Sequence, residues 1–131
     1  MANTEALLLD THTFLWAIFD PDRLSRAVRR WLVNPDVILH LSVASVWEIE
    51  LKHSKGKLNA DASTVDANAR ELGIRSLPIT VPHVRALATL ARPGYKDPFD
   101  RLIAAQAAVE NLPLVTADSA FAEYPQIEIR W

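Results

Sequence analysis

Apolar and polar residues follow one another in short blocks along the chain, and these blocks predict strands and helices in turn. Short apolar runs with polar ends predict buried strands at residues 5–9, 37–41, 76–80, 113–116 and 127–131. Helical spacing and stop signals predict helices at 14–19, 24–33, 42–54, 61 or 63–72, 81–91 and 98–111, with a short helical turn at 119–123. This alternation indicates an α/β layered fold with a mostly parallel sheet.

Residues that begin and end helices fix several of these boundaries. Ser25 or Asp22 is expected to cap the second helix, and Gly73 stands where a helix commonly ends. Pro98 suits the first position of a helix, which makes Asp97 its natural N-cap. Residues 92–96 form the clearest predicted loop.

The composition is that of one ordinary globular domain, taken here as residues 1–131. Half of the residues are apolar and 23% are charged. The absence of cysteine excludes disulfides and thiolate metal sites. The apolar runs are too short to span a bilayer and the first residues lack a basic signal-peptide region, so we expect a cytoplasmic protein that makes no membrane contact.

The formal net charge of −2 does not favour nucleic-acid binding, because phosphate contacts dominate such affinity. Two basic stretches offset it locally: Arg23, Arg26, Arg29 and Arg30, and then Lys52, Lys55 and Lys57. Each stretch is either a phosphate-binding surface or a solvated helix face, and the sequence leaves both interpretations open.

Four acidic residues stand at strand ends or near helix starts. Asp10 and Asp118 follow apolar runs, Glu48 lies in the first turns of the helix from Ser42, and Asp100 lies in the first turn of the helix from Pro98. In an open parallel sheet these positions face one crevice. Carboxylates that converge there raise each other's pKa, and a hard cation such as Mg²⁺ removes that cost. The pattern predicts a metal-dependent phosphodiesterase.

Each of these acids also has a purely structural interpretation. Asp10 and Asp118 are possible N-caps of the segments that follow them. Asp97 is assigned mainly to capping, with an indirect role at the site left open. Asp100 also suits the helix dipole, but it is the better metal-site candidate of the two.

Periodicity does not choose between the two glutamates of the third helix. One helix face carries Val43, Val46, Trp47 and Leu51. Glu50 falls near that face and Glu48 lies at its margin beside Ala44, so either could point at the site.

The remaining polar residues near the acids add less. Thr116 is interpreted as an ordinary β-branched strand residue, with a hydrogen bond to a site carboxylate or a substrate phosphate as the alternative. His12 lies next to the proposed site, and His40 is a predicted strand residue. The histidine spacing predicts no zinc site, and no catalytic triad or glycine-rich phosphate loop is present.

Four segments together resemble the successive motifs of the PIN-domain family, and more narrowly the VapC-type toxins of toxin–antitoxin modules. They are LLLDTH at 7–12, SVASVWEI at 42–49, DPFDRLIAAQA at 97–107 and LVTADSAF at 114–121. Each motif alone is weak, but four in this order and at these separations are specific. The resemblance covers essentially the whole chain.

The resemblance implies a PIN-like three-layer α/β/α fold and a metal-dependent endoribonuclease that uses Mg²⁺ or Mn²⁺. It maps the family's metal-binding and catalytic acids onto Asp10, Glu48, Asp100 and Asp118, and so favours Glu48 over Glu50. It further implies a cognate antitoxin, an RNA substrate and a homodimer. Related sequences often carry histidine where Tyr95 stands, which leaves the role of that position open.

Two other functions compete with this interpretation. A PIN-like module without catalysis would bind RNA or a partner but would show no metal-dependent turnover. A small-molecule phosphatase that forms an aspartyl phosphate would carry D-x-D after the first strand, where this chain has Asp10-Thr11-His12. Nucleotide monophosphate and RNA, compared as substrates, distinguish these functions.

Overall fold

The computed structural model describes residues 5–91 and 97–131, and these ranges contain five strands and six α-helices. The strands are β1 (Glu5–Leu9), β2 (Val37–Ser42), β3 (Arg75–Leu77), β4 (Leu114–Val115) and β5 (Ile129–Arg130). The helices are α1 (Thr11–Phe19), α2 (Arg26–Val33), α3 (Val43–Ser54), α4 (Ala62–Glu71), α5 (Val81–Ala86) and α6 (Pro98–Glu110). Short 3₁₀ helices occupy Pro21–Arg23 and Ser119–Glu123. Within the described ranges, no helix combines the length and the apolar character that crossing a membrane requires.

All five strands are parallel and form one sheet in the order β3-β2-β1-β4-β5. In register, Leu9 stands beside Leu41 on one side and Val115 on the other. The residues that end or follow these three central strands, Asp10, Ser42 and Thr116, therefore lie in a row at the carboxyl edge. The parallel sheet predicted from the sequence is confirmed.

The sheet is covered on both faces, because its strands alternate apolar side chains between two cores. Leu7 and Leu9 belong to a core with residues of α1, α2 and α4, whereas Leu8 belongs to a core with residues of α6 and the Ser119–Glu123 turn. All three leucines are at most 1% exposed. This arrangement is the three-layer α/β/α fold that the family resemblance implies.

Element boundaries differ from the prediction where capping or turn geometry decides them. α1 begins at Thr11 rather than residue 14, because Asp10 caps it directly after β1. Ser25, not Asp22, caps α2 by accepting the backbone N–H of Val28. α5 ends at Ala86 rather than 91, and β3 and β5 are shorter than predicted. The predicted loop at 92–96 and Tyr95 lie outside the described residues.

Candidate active site at the carboxyl edge of the sheet

Asp10 lies at the centre of the carboxyl edge and is only 4% exposed. One carboxylate oxygen, Oδ1, accepts the backbone N–H of Thr13 at 2.7 Å, which is the N-cap bond of α1. The other oxygen, Oδ2, accepts the hydroxyl of Thr116. The N-cap interpretation of Asp10 is therefore correct, and the same bond fixes its carboxylate at the position predicted for the site.

Thr116 joins the two acids that follow β1 and β4. Its Oγ1 donates to Asp10 and also accepts the backbone N–H of Asp118 at 3.0 Å. β4 ends at Val115, so the interpretation of Thr116 as an ordinary strand residue was wrong. Thr116 has this different role because it lies one residue beyond the strand, where its side chain reaches Asp10 at the end of the neighbouring strand.

Burial raises the pKa of Asp10 above its ordinary value of 3.8. Hydrogen bonds from Thr116 and Thr13, and the nearby His12, act in the opposite direction. The sequence predicted a raised pKa through repulsion between carboxylates, but the main cause is the loss of solvent. A cation in contact with this carboxylate would favour its charged form.

A cleft of about 340 Å³ opens above Asp10. It is lined by Asp10, His12, Trp16, Arg23, Ala117 and Asp118. Asp118 is exposed, and its Oδ1 accepts the backbone N–H of Ala120 at 2.9 Å, so its predicted N-cap role is also present. The cleft thus contains two of the four predicted acids, and His12 lies beside them as expected.

Glu48 lies on the buried side of α3 and is 4% exposed, whereas Glu50 is exposed. Its Oε2 forms an ion pair with Lys52 Nζ at 2.9 Å, one turn further along the helix. Its Oε1 is buried and has no hydrogen-bond partner. A buried carboxylate oxygen without a partner is costly, so this atom is available to bind a cation.

The apolar face of α3 is not the buried face. Val43, Trp47 and Leu51 are each at least 37% exposed, whereas Ala44, Ser45, Glu48 and Ile49 are buried. Small residues bring α3 close to its neighbours, and the Ser45 hydroxyl accepts a 2.8 Å hydrogen bond from Thr11 of α1. The position of the apolar residues therefore does not mark the buried side of α3, and that is why periodicity could not choose Glu48.

Asp97 and Asp100 have separate roles at the start of α6. The Oδ1 of Asp97 accepts the backbone N–H of Phe99 at 2.8 Å and of Asp100 at 3.2 Å, which confirms it as the N-cap. Asp100 is partly buried in the first turn, close enough to Tyr124 to raise the pKa of that phenol, although burial is the main cause of that shift. Arg101 binds the carbonyl oxygens of Leu87 and Ala91 and so ties α6 to the segment after α5.

The structure brings two of the four acids into one cleft and places the other two on neighbouring helices. Asp10 and Asp118 share the cleft and the hydroxyl of Thr116. Glu48 and Asp100 lie on the adjacent helices α3 and α6, which meet through the rings of Trp47 and Phe99 at 4.7 Å. Among the described residues, no three carboxylate or imidazole groups come close enough to hold a metal ion together.

This arrangement still fits a magnesium-like ion in its donor chemistry. Mg²⁺ commonly uses one or two protein carboxylates and completes its shell with water and substrate phosphate. Asp10 and Glu48 supply buried carboxylate oxygens, and one of those oxygens lacks a partner. The chemistry of these buried carboxylates therefore suits a hard cation.

Two contacts of the site were missed from the sequence. Lys52 was grouped with a basic stretch, although its i,i+4 spacing from Glu48 is the signal for an ion pair. Gln106, which is fully buried, accepts from the Ser42 hydroxyl and donates to the carbonyl oxygen of Pro78. It ties α6 to the carboxyl edge, and no periodicity distinguishes it from the apolar residues around it.

The fold and the cleft define the chain as a three-layer α/β protein with an acidic site at the carboxyl edge of a parallel sheet. The family model of the PIN domain matches residues 7–127. The chain belongs to the PIN domain family, as its motifs indicated. No curated protein matches the sequence.

Solved structures share this fold over nearly the whole chain. One is VapBC2 from Rickettsia felis bound to a promoter DNA fragment, with a TM-score of 0.72, 20% identity, and 95% of this chain and 97% of that chain covered. DNA-bound VapBC from Salmonella typhimurium has a TM-score of 0.71 at 22% identity, covering 96% and 97%. VapBC-5 from Mycobacterium tuberculosis has a TM-score of 0.59 at 25% identity, covering 95% and 96%.

Proposed function

We propose that this chain is a metal-dependent endoribonuclease that hydrolyses phosphodiester bonds of RNA, and that it is the toxin of a type II toxin–antitoxin module. Family membership and the similarity to VapBC structures support the class of protein. The observation that carries the activity is the burial of two acids, each 4% exposed: Asp10 at the carboxyl edge of the sheet, and Glu48 in the first half of α3, the helix that follows β2. Nearly complete burial of two acids is costly unless a cation compensates it.

Asp10 and Glu48 would hold the ion, with Asp100 and Asp118 completing the acidic site. When bound, Mg²⁺ or Mn²⁺ would neutralise charge on the scissile phosphate and make water a better nucleophile. Thr13 and Thr116 keep the Asp10 carboxylate in one orientation, since each of its oxygens accepts one of their hydrogen bonds. That fixed orientation lowers the reorganisation needed during reaction.

The exposed acid of the cleft has a different task. Asp118 lies at the mouth beside Asp10 and is held at its backbone by Thr116. Its exposure allows it to orient the attacking water and accept its proton. Arg23 lines the same cleft and adds a positive charge that attracts RNA.

A cognate antitoxin would inhibit the enzyme by covering the cleft, and the similarity to VapBC toxin–antitoxin systems supports such a partner. We further propose a homodimer. The exposed apolar residues of α3, Val43, Trp47 and Leu51, offer a surface for it. Copurification with the product of an adjacent small gene, together with light scattering of the isolated chain, tests both partners.

The decisive experiment is cleavage of a structured RNA pool by the purified chain with Mg²⁺, with Mn²⁺ and with EDTA. We expect metal-dependent cutting that is lost in Asp10→Asn and Glu48→Gln. Glu50→Gln is the matched control, because Glu50 is an exposed acid on the same helix and should retain full activity. A nucleotide monophosphate serves as the substrate that a small-molecule phosphatase would prefer.

The alternative is a PIN-like module that binds RNA or a partner without catalysis. The lack of a three-ligand metal cluster among the described residues is the observation in its favour. It predicts RNA or antitoxin binding, no turnover with either ion, and equal behaviour of Glu48→Gln and Glu50→Gln. The cleavage experiment separates the two functions directly.

A further inference from the structure

We propose that His12, Trp16 and Arg23 form a stacking wall that receives one unpaired base of single-stranded RNA beside the acidic pair Asp10 and Asp118. The proposal rests on the proposed nuclease function and names the form of its substrate. It assigns a base-binding role to residues that line the cleft but are not among the predicted acids.

The wall consists of three flat groups, with the Trp16 ring in contact with the other two. The imidazole of His12 lies with its centroid 6.2 Å from that of the Trp16 ring. The guanidinium carbon of Arg23 lies 5.7 Å from the centroid of the same ring. All three residues line the cleft that contains Asp10 and Asp118. A base that enters the cleft can therefore contact flat side chains next to the acids.

The central ring of the wall is held in place by its neighbours. Trp131 packs edge-on against Trp16, with the two ring centroids 5.9 Å apart. Trp16 also packs against the core under α1, and it is only partly buried. A ring fixed in this way loses little conformational freedom when a ligand binds, which favours stacking over nonspecific contact.

Charge within the cleft agrees with a nucleotide rather than an apolar ligand. Arg23 pairs with Asp20 at 3.0 Å, but both side chains are more than half exposed, so the pair is weak and can yield to a phosphate. His12 is exposed beside it. The cleft therefore combines the cationic or polar groups of the wall with the acids Asp10 and Asp118, which suits a base at the wall and a phosphodiester at the acids.

The base must be unpaired for this contact to form. In a duplex both faces of each base are covered by its neighbours, so an aromatic wall can stack only on a base in a loop or single strand. A cleft of about 340 Å³ also has room for little more than one nucleotide. The wall thus selects single-stranded RNA at the point of cleavage.

The test is a binding cycle between protein variants and abasic RNA. A fluorescein-labelled single-stranded nonamer, and versions lacking one base at each position, are titrated by anisotropy in EDTA at low salt. We expect one abasic position to weaken binding to the native chain by about 5- to 100-fold, the range that base stacking covers. Trp16→Leu should weaken binding of the intact RNA by a similar factor, and removal of the base at that position should then have no further effect on binding.

Two further variants guard against a change in folding. His12→Ala removes an exposed side chain, and it should reduce the same abasic penalty by a smaller factor. Phe19→Leu removes an exposed aromatic ring of the same helix outside the cleft, and it should leave the abasic penalty unchanged. A duplex of the same sequence should bind more weakly than the single strand.

Equal abasic penalties in the native chain, Trp16→Leu and His12→Ala would overturn the stacking wall, as would a duplex that binds as tightly as the single strand. Loss of the abasic dependence in Trp16→Leu without metal-dependent cleavage would support the wall and reject the nuclease. Metal-dependent cleavage together with unchanged abasic penalties would support the nuclease and reject the wall. Absence of RNA binding by the folded native chain would overturn both.

Discussion

The hydroxyl of Thr116 donates a hydrogen bond to the carboxylate of Asp10 across the neighbouring strand ends of β1 and β4. The same oxygen accepts the backbone N–H of Asp118. One side chain therefore orients the buried acid and positions the exposed acid of the cleft. Because Asp10 is almost completely buried, this bond also counteracts the effect of burial on its pKa.

Thr116→Val removes the hydroxyl and retains the shape of the side chain. We expect a loss of stability of about 1–3 kcal/mol, since a buried carboxylate oxygen loses its partner. The pKa of Asp10 should rise further, so the acid limb of the cleavage rate against pH should move to higher pH. Cleavage at saturating Mg²⁺ over a pH series, together with urea unfolding, measures both effects.

Thr116→Ser is the control for that substitution, because serine also carries a hydroxyl group on Cβ. It should retain the native pH profile with a small loss of stability. A valine variant that matches the native chain in both rate and pH profile would show that the bond has no part in the chemistry.

Asp10→Asn should stabilise the metal-free chain at neutral pH. The raised pKa means that the folded state holds its proton more tightly than the unfolded state does, so stability falls as pH rises above about 3.8. Asparagine removes this cost and caps a helix as well as aspartate does. We expect a gain on the order of 1 kcal/mol, about 4 °C in Tm, by thermal melting in EDTA.

Asp61→Asn is the matched control for the melting experiment. Asp61 also caps a helix, α4, but hydrogen bonds from Thr64 lower the pKa of its carboxyl. Removing its charge should therefore give no stabilisation. If Asp10→Asn melts at a lower temperature than the native chain in EDTA while Asp61→Asn is unchanged, the buried carboxylate of Asp10 does not destabilise the metal-free chain.

Much of the fold could be predicted from the sequence, because strands with short apolar runs and helices with clear caps are local features. Asp97 and Ser25 cap their helices as their neighbours in sequence indicate. Short elements were predicted less well. β4 and β5 are two residues each, and their limits depend on pairing with a neighbour rather than on composition.

The site was predicted as a set of residues but not as an arrangement. Asp10 and Asp118 lie together because Asp10 directly follows β1 and Asp118 lies three residues past the end of the adjacent strand β4, a relationship that depends on strand order. Hydrophobic periodicity could not predict the burial of Glu48, since α3 buries its small residues and exposes Trp47. Thr116 was misinterpreted because its role depends on a partner 106 residues away.

Lys52→Met should make the metal-free chain less stable and its response to metal larger. Glu48 would keep a buried charge without its ion-pair partner, and the free energy of unfolding should fall by several kcal/mol at most. Added Mg²⁺ or Mn²⁺ would then replace the lost positive charge. Thermal melting with and without each ion measures the difference between the two variants.

The control for the lysine is Lys55→Met, which removes an exposed charge next to the end of the same helix. Its melting temperature and its metal response should match those of the native chain. A metal-induced rise in Tm that is the same in Lys52→Met and in the native chain would indicate that the ion does not bind near Glu48.

His40 should make the chain less stable in mild acid. Its Nδ1 is buried without a hydrogen-bond partner, and burial lowers the pKa of the imidazole below 6.5, with Arg75 on β3 acting in the same direction. The unfolded state therefore binds a proton first as the pH falls through 6.5, and stability is lost from there down to the lowered pKa. His40→Val, which suits a strand, should abolish that loss between about pH 7 and 5 in thermal melts. His12→Ala removes an exposed histidine and should leave the loss of stability in acid unchanged. If stability depends on pH equally in the native chain and in His40→Val, His40 is not the source of that loss.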